Sequence, residues 1–149
     1  MDQICFDPQM AYSRPELAIY VRRPGSFTLV AESASGEALR NGGPQRPILG
    51  FIVAEARRRT GHIITIDVLP ESRRAGIGSA LLQAAEDQLR QAGAAIVELE
   101  TAVDNAAAIQ FYKRKDYFVE KTVSGYYSNQ LDALVMRKEL VAASVKPSP

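Results

Sequence analysis

The strongest constraint on the fold is a change in hydrophobic period between residues 62 and 101. The stretch His62–Leu69 is almost entirely apolar or β-branched, which is typical of a strand buried on both faces of a sheet. From Ile77 the apolar residues recur at helical spacing, and Gly93 then supplies a normal helix end. Ala95–Thr101 is again a strand pattern. The order predicts a strand-helix-strand unit with a right-handed parallel crossover.

Shorter elements flank this unit on both sides. Ser13 begins a capping-box spacing that predicts a short helix ending at Pro24, and Asn105 is placed to cap a helix from Ala106 to about Lys115. Four more strands are predicted: Ser26–Glu32, Pro47–Ala56, Tyr117–Val123 and Leu131–Lys138. The first two of these should form a hairpin with a long connection. Together the elements predict a mixed α/β (α+β) fold around a single sheet.

Length and composition narrow the class of protein. The 149 residues fit one domain, which we assign to residues 1–140, and residues 141–149 are predicted to form a disordered tail. A net charge of +1 argues against nucleic acid or an anionic membrane as a partner. Cys5 is the only cysteine, so an internal disulfide and a structural zinc site are both excluded. Without a long apolar run or a signal-peptide pattern, we expect a cytoplasmic protein, monomeric or homodimeric.

A short turn rich in arginine and glycine lies between the buried strand and the long helix. The first turn of a helix carries backbone N–H groups with no partner inside the helix, and the helix dipole adds partial positive charge there. Gly76 and Gly78 let an anion approach the main chain, and Arg73 and Arg74 add cationic donors. The turn therefore predicts a phosphate or diphosphate site. A plain helix start with a flexible turn is the alternative.

Two better-known phosphate motifs do not fit this turn. A Walker A loop requires a lysine followed by serine or threonine after its second glycine, whereas this chain has Ser79 and Ala80. A dinucleotide fingerprint requires a third glycine or an alanine where this chain has Leu81. Both interpretations are therefore rejected.

The turn instead resembles the central motif of the GCN5-related N-acetyltransferase (GNAT) family. That motif runs from a strand through an arginine or glutamine, two residues, a glycine, one residue, and a glycine or alanine. The match here extends from Val68 to Leu82, with Arg73, Gly76 and Gly78 at the marked positions. Within the family, the pattern is most similar to ribosomal-protein N-terminal alanine acetyltransferases.

A second match begins at Asn105 and continues through three alanines and Phe111-Tyr112 to Phe118. Asp116 stands where the family usually has glycine, and aspartate tolerates the left-handed backbone better than most residues. The resemblance covers roughly residues 47–140. It implies one mixed, mostly antiparallel sheet with a central parallel strand pair and helices on both faces.

The resemblance also implies acetyl-CoA as the acetyl donor, with no metal. Backbone groups of the arginine-glycine turn would bind the diphosphate, and main-chain groups at the end of the preceding strand would bind the pantetheine arm. The implied cofactor-binding residues are Ile66, Asp67, Val68, Arg73, Arg74, Ala75, Gly76, Ile77, Gly78, Ser79, Asn105 and Tyr112.

Acetyl transfer to an amine needs a base for the amine and a proton donor for the departing thiolate. By resemblance Tyr112 is the general acid, and a core tyrosine on an amphipathic helix is the alternative. Glu98 and Glu100 share one face of a central strand, where carboxylates are costly unless they face a wet cleft. We prefer Glu100 as the base, acting through water; a salt-bridged or solvated glutamate is the alternative. Asp67 is a weaker candidate, and His62 is expected to be structural or exposed.

Glu98, Tyr126 and Tyr127 are predicted to bind the acceptor. The tyrosine pair resembles residues that border the peptide groove in N-terminal acetyltransferases, although aromatic packing in a hairpin would also explain it. A protein α-amine has a pKa of about 7.7 to 8.0, which is lower than that of a lysine side chain. A carboxylate base can therefore deprotonate an α-amine more easily than a lysine. We predict an acetyl-CoA-dependent enzyme acting by direct attack on a protein or peptide N-terminus. The alternatives are a small-molecule amine acetyltransferase and a non-catalytic acyl-CoA-binding regulator.

Overall fold

The structure is a computed structural model that describes residues 24–33, 48–73, 75–126 and 131–140. Several predictions lie outside the described residues. They are the helix beginning at Ser13, the long hairpin connection, the tail after residue 140, and the positions Arg74 and Tyr127.

The described residues form six strands and two α-helices in the predicted order. They are β1 (Ser26–Glu32), β2 (Ile48–Arg57), β3 (Thr60–Val68), α1 (Ile77–Gln91), β4 (Ile96–Ala102), α2 (Ala106–Arg114), β5 (Phe118–Val123) and β6 (Ala133–Glu139). A short 3-10 turn at Pro70–Ser72 separates β3 from α1. Each of these strands and α-helices was predicted, and no end differs from its prediction by more than two residues.

All six strands belong to one sheet in the order β1-β2-β3-β4-β6-β5. β3 and β4 run parallel, in a register that pairs Thr60 with Ile96 and His62 with Glu98. β4 pairs with β6, and β5 with β6, in antiparallel fashion. This arrangement confirms the predicted single mixed sheet with a central parallel pair.

Both helices end in the backbone conformation that their sequences indicate. After α1, Gly93 has φ +100°, and the Ala94 N–H donates to the Leu89 carbonyl at 2.9 Å. After α2, Asp116 has φ +72°, and the Tyr117 N–H donates to the Tyr112 carbonyl at 3.0 Å. In each case the left-handed residue satisfies carbonyls that the helix end leaves without internal partners. Asp116 thus fills the position expected of a glycine.

The chain forms two compact units. The first comprises residues 1–54 and 64–85, and the second comprises residues 55–63 and 86–149. Buried apolar side chains of the first unit come from β2, β3 and the first half of α1: Phe51, Ile52, Val53, Ala54, Ile64, Leu81, Leu82 and Ala85. Those of the second unit include Ile63, Leu89, Val97, Leu99, Tyr112, Tyr117, Val135 and Met136. The assignment of residues 1–140 to a single domain stays a prediction.

Within the described ranges, neither helix combines the length and the apolar character needed to cross a membrane.

The left-handed backbone at Asp116 gives a stability prediction. Asp116→Ala places a side chain with no local hydrogen-bonding capacity at φ +72°, whereas Asp116→Gly removes the steric penalty. In urea titrations, we expect the free energy of unfolding of the alanine variant to be about 1 kcal/mol lower than that of the glycine variant. Equal stability of the two variants would contradict the geometry assigned to this helix end.

Candidate active site

The end of β3 in the first unit is held tightly against β2. The Leu69 N–H donates to the Leu49 carbonyl at 2.9 Å. At Gly50, a Cβ atom would lie only 2.7 Å from the Asp67 carbonyl oxygen, so the two backbones approach as closely as a glycine permits. The predicted pantetheine-binding residues Ile66, Asp67 and Val68 therefore lie on a strand end with a fixed main chain.

The arginine-glycine turn follows directly, and its described residues are largely exposed. The Arg73 Nε donates to the Val68 carbonyl at 3.1 Å, which ties the turn to the end of β3. Gly76 has φ +83°, and apart from its two chain neighbours no atom of the described residues lies within 4 Å of where its Cβ would be. Arg73, Ala75 and Gly76 are exposed. The positive φ and the open space fit a glycine that leaves room for a ligand beside the main chain.

Helix α1 begins immediately after this glycine. The Ala80 N–H donates to the Gly76 carbonyl at 3.0 Å, which is the first helical hydrogen bond. The N–H groups of Ile77, Gly78 and Ser79 precede it, so carbonyls within the helix cannot satisfy them. These half-buried residues and the adjoining turn form the donor set that the sequence predicted for a diphosphate.

The second unit contains an open cavity of about 410 Å³ whose lining residues are all polar or charged. Its walls are formed by Glu55 and Arg57 of β2, Thr60 and His62 of β3, and Glu98 and Glu100 of β4. Three carboxylates thus face one guanidinium and one imidazole. Because the carboxylates outnumber the basic groups, the lining attracts a cationic group, for example a protonated amine.

Glu98 and Glu100 occupy one face of β4, as the period of two predicted. Both are half-buried, while Val97, Leu99 and Thr101 between and beside them are buried. Both glutamates line the cavity, so the predicted requirement for an open cleft beside them is met.

His62 directly contacts the preferred base. Its Nε2 lies 2.7 Å from the Glu100 Oε1, and the exposed fractions of the two side chains are 30% and 17%. The parallel register pairs His62 with Glu98, which brings the imidazole to the face of the sheet that carries both glutamates. The expectation that His62 is structural or exposed stays a prediction, and the structure adds its contact with Glu100.

The carboxylates around His62 change its protonation. Burial on its own lowers the pKa of His62, but the hydrogen bond to Glu100 and the charges of Glu100, Glu55 and Glu98 outweigh burial. The net result is a pKa raised above the ordinary value of 6.5. Protonated His62 thus contributes stability that is complete below pH 6.5 and is lost as the pH rises through the raised folded-state pKa.

Tyr126 reaches the same carboxylate. Its hydroxyl donates to the Glu100 Oε1 at 3.3 Å, although its side chain is 43% exposed. Glu100 is therefore contacted on one oxygen by both His62 and Tyr126. The predicted acceptor residues Glu98 and Tyr126 lie with the predicted base in one site, while Tyr127 lies outside the described residues.

Tyr112 lies in the last turn of α2 and is 7% exposed. Its ring packs edge-on against Phe111 and Tyr117, with centroid distances of 5.2 and 5.6 Å. Asn105, the other α2 residue assigned to the cofactor, caps the helix by accepting a hydrogen bond from the Ala108 N–H at 3.1 Å. Packing thus accounts for the burial of the Tyr112 ring, and its role as general acid stays a prediction.

Sequence reasoning missed His62, Glu55, Arg57 and Thr60 as site residues. The signal that would have found His62 is its register with Glu98, which depends on how two strands far apart in sequence align. Across the described ranges, no group of three His, Cys, Asp or Glu side chains is arranged to hold a metal ion.

Comparisons with known proteins place these features in context. The sequence profile of the Acetyltransferase (GNAT) family matches residues 3–117, so the match also reaches the opening segment. The N-alpha-acetyltransferase 20 of Dictyostelium discoideum is 36% identical over 130 residues, which are 87% of this chain and 72% of that protein.

Two solved structures share the fold. Ard1 from Thermoplasma volcanium superposes with a TM-score of 0.78 and 25% identity, covering 95% of this chain and 89% of that one. The ribosomal-protein-S18-alanine N-acetyltransferase from Escherichia coli superposes with a TM-score of 0.75 and 20% identity, covering 97% and 88%.

The contact between His62 and Glu100 gives a prediction that NMR can check, because the chain contains a single histidine. Glu100→Gln removes the negative charge beside His62 and leaves only a neutral hydrogen-bond partner, so the pKa of His62 should fall. Glu98→Gln is the matched control. Since Glu98 is the weakest of the causes that raise the pKa, this control should lower it less. An imidazole titration that is the same in both variants would refute the assigned contact.

Proposed function

Because this chain belongs to the GNAT family of acetyltransferases, we propose that it transfers the acetyl group of acetyl-CoA to the α-amine of a protein or peptide N-terminus. The chain is an N-acetyltransferase, and acetyl-CoA is its acetyl donor. The observation that carries the choice of acceptor is the acidic cavity in which Glu100 contacts His62 and Tyr126. The name of the similar N-alpha-acetyltransferase supports the same choice.

The arginine-glycine turn and the start of α1 are the proposed diphosphate site. The exposed Gly76, with open space beside it, and the first-turn amides of Ile77, Gly78 and Ser79 fit a phosphate group at hydrogen-bonding distance. Arg73 and Arg74 would add positive charge, and the main chain of residues 66–68 would bond the pantetheine arm. The bound cofactor supplies the acetyl group as an activated thioester.

The cavity of the second unit is the proposed acceptor site. Its three carboxylates attract an ammonium group, which must lose a proton before its nitrogen can attack the thioester carbonyl. Glu100 is the proposed base, directly or through a water molecule. A free α-amine, with a pKa of about 7.7 to 8.0, gives up this proton far more readily than a lysine with a pKa of about 10.4.

Tyr112 is the proposed proton donor. As the new C–N bond forms and the C–S bond breaks, the Tyr112 hydroxyl gives its proton to the departing sulfur, and CoA leaves as a thiol. The amine nitrogen loses its second proton as the amide forms, and that proton restores the phenol. A phenol with an ordinary pKa near 10 can protonate a thiolate only if it is accurately positioned.

The compartment, the domain boundaries and the oligomeric state of the enzyme are also proposed. A single cysteine suits a reducing compartment, and we assign the protein to the cytoplasm. Residues 1–140 are proposed to form the N-acetyltransferase domain, working as a monomer or a homodimer.

A panel of acceptors tests the proposed function. Purified protein with acetyl-CoA is offered peptides with a free N-terminus, the same peptides with a blocked N-terminus and an internal lysine, and small amines, with release of free thiol as the measurement. We expect turnover with the free N-termini only. Turnover confined to small amines would favour the small-molecule alternative, and CoA binding without turnover would favour a regulator.

A matched pair of variants connects the turnover to the cavity. Glu100→Gln should lower turnover by about 100-fold or more, because general base catalysis typically contributes that much. Glu120→Gln, which alters a glutamate in an ion pair on β5, should leave turnover unchanged. If the Glu100 variant keeps normal turnover at saturating acceptor, Glu100 is not the base.

Gly76→Asp tests the proposed diphosphate site. The new carboxylate would stand beside the main-chain amides and repel the diphosphate, so the affinity for CoA should fall at least about tenfold. Gly76→Asn, similar in shape and equally tolerant of positive φ, is the uncharged control and should retain more affinity. Calorimetric titration with CoA measures both, and unchanged binding by the aspartate variant would remove this turn from the cofactor site.

A further inference from the structure

Tyr117 contacts Tyr112 through both its ring and its main chain. The two rings meet edge-on with centroids 5.6 Å apart and an interplanar angle of 64°. The Tyr117 N–H also donates to the Tyr112 carbonyl at 3.0 Å, because the left-handed Asp116 turns the chain back at the end of α2. The Tyr117 ring therefore limits the orientations open to the Tyr112 side chain, which is itself almost fully buried.

The hydroxyl end of Tyr117 is held by an ion pair whose carboxylate is buried. Its hydroxyl donates to the Glu86 Oε2 at 2.8 Å, and the Lys138 Nζ donates to the Glu86 Oε1 at 2.8 Å. The exposed fraction of the Glu86 side chain is 2% and that of Lys138 is 19%. The Lys138 ammonium also lies 5.7 Å from the centroid of the Tyr117 ring. One carboxylate thus joins α1, β6 and the segment that follows α2.

A buried ion pair is a poor source of net stability. Desolvating both charges often costs as much as their attraction returns, so apolar residues of the same volume frequently serve stability as well or better. What a fully hydrogen-bonded pair does provide is a single orientation for the groups bonded to it. Here the bonded group is the hydroxyl of the tyrosine that packs against Tyr112.

We infer that Tyr117, held by Glu86 and Lys138, is a positioning residue that fixes the Tyr112 ring in the orientation needed for proton donation. This inference rests on the proposed function, in which Tyr112 is the acid. The geometric demand is strict, because a misplacement of about 1 Å can lower a rate about 100-fold.

Tyr117 is poorly suited to act as a second acid. Burial first, and then the charge of Glu86 and the hydrogen bond to it, raise the pKa of Tyr117 far above the ordinary value of 10. Its hydroxyl therefore keeps its proton and continues to donate to Glu86 throughout the working pH range. Tyr112 is the proposed acid, and Tyr117 positions it.

Steady-state kinetics test the inference through Tyr117→Phe, which removes the hydroxyl and keeps the ring. We expect kcat to fall about tenfold, with the KM for acetyl-CoA within about twofold of the wild type. In a Tyr112→Phe background the same change should cause no further loss, because the group that it positions is already absent. Glu120→Gln, in the exposed ion pair with Arg137, is the control and should change neither parameter.

A second measurement does not depend on activity. With 3-fluorotyrosine incorporated at the six tyrosines, the ¹⁹F resonance of Tyr112 is assigned by its loss in Tyr112→Phe. Glu86→Gln retains both rings, so a shift or broadening of that resonance would report lost orientation of Tyr112. The resonance should be unchanged in Glu120→Gln. Urea unfolding confirms that each variant is folded under the conditions of the assay.

The outcomes separate the inference from the proposed function. If Tyr112→Phe retains full turnover, the acid role fails and the inference fails with it. If Tyr112→Phe is impaired but Tyr117→Phe and Glu86→Gln turn over normally, the inference alone is overturned. Equal losses from Tyr117→Phe in the presence and absence of the Tyr112 hydroxyl would also overturn it, because the effect would then not pass through Tyr112.

Discussion

The parallel pairing of β3 with β4 is the constraint on which the second unit depends. In this register His62 lies opposite Glu98, and its imidazole therefore meets Glu100 at 2.7 Å on the face that lines the cavity. A shift of one residue would turn His62 to the other face of the sheet and leave the glutamates without it. Carboxylates on a central strand are tolerated here because a polar cavity, an imidazole and a tyrosine hydroxyl take the place of bulk water.

The start of α1 and the end of α2 are also central to the structure. At the start of α1, first-turn amides and an open glycine create the anion site proposed for the CoA diphosphate. At the end of α2, a left-handed aspartate returns the chain so that Tyr117 lies against Tyr112. One helix end thus carries the first-turn amides of the proposed diphosphate site, and the other brings together Tyr112 and Tyr117, whose rings meet edge-on. In both places a local backbone rule determines which side chains or amides become available for chemistry.

The sequence predicted the elements and their order well, because strand and helix periods and the capping residues Asn105, Gly93 and Asp116 are local signals. It also identified Glu98 and Glu100 as sharing a face, since that follows from the period of one strand. The partners of those glutamates could not be predicted in the same way. His62 and Glu55 reach the cavity only through register between strands, and the Glu86–Tyr117–Lys138 cluster joins three distant segments. Pairing over such distances leaves no periodic trace in a single sequence.

The central claim is that the acidic cavity prepares an α-amine for acetylation. The most direct measurement uses one peptide that carries both a free N-terminus and an internal lysine, incubated with the enzyme and acetyl-CoA at neutral pH and sequenced by tandem mass spectrometry. The account predicts one added acetyl group, located on the N-terminal nitrogen. An acetyl group found on the lysine, or distributed equally between the two amines, would contradict it.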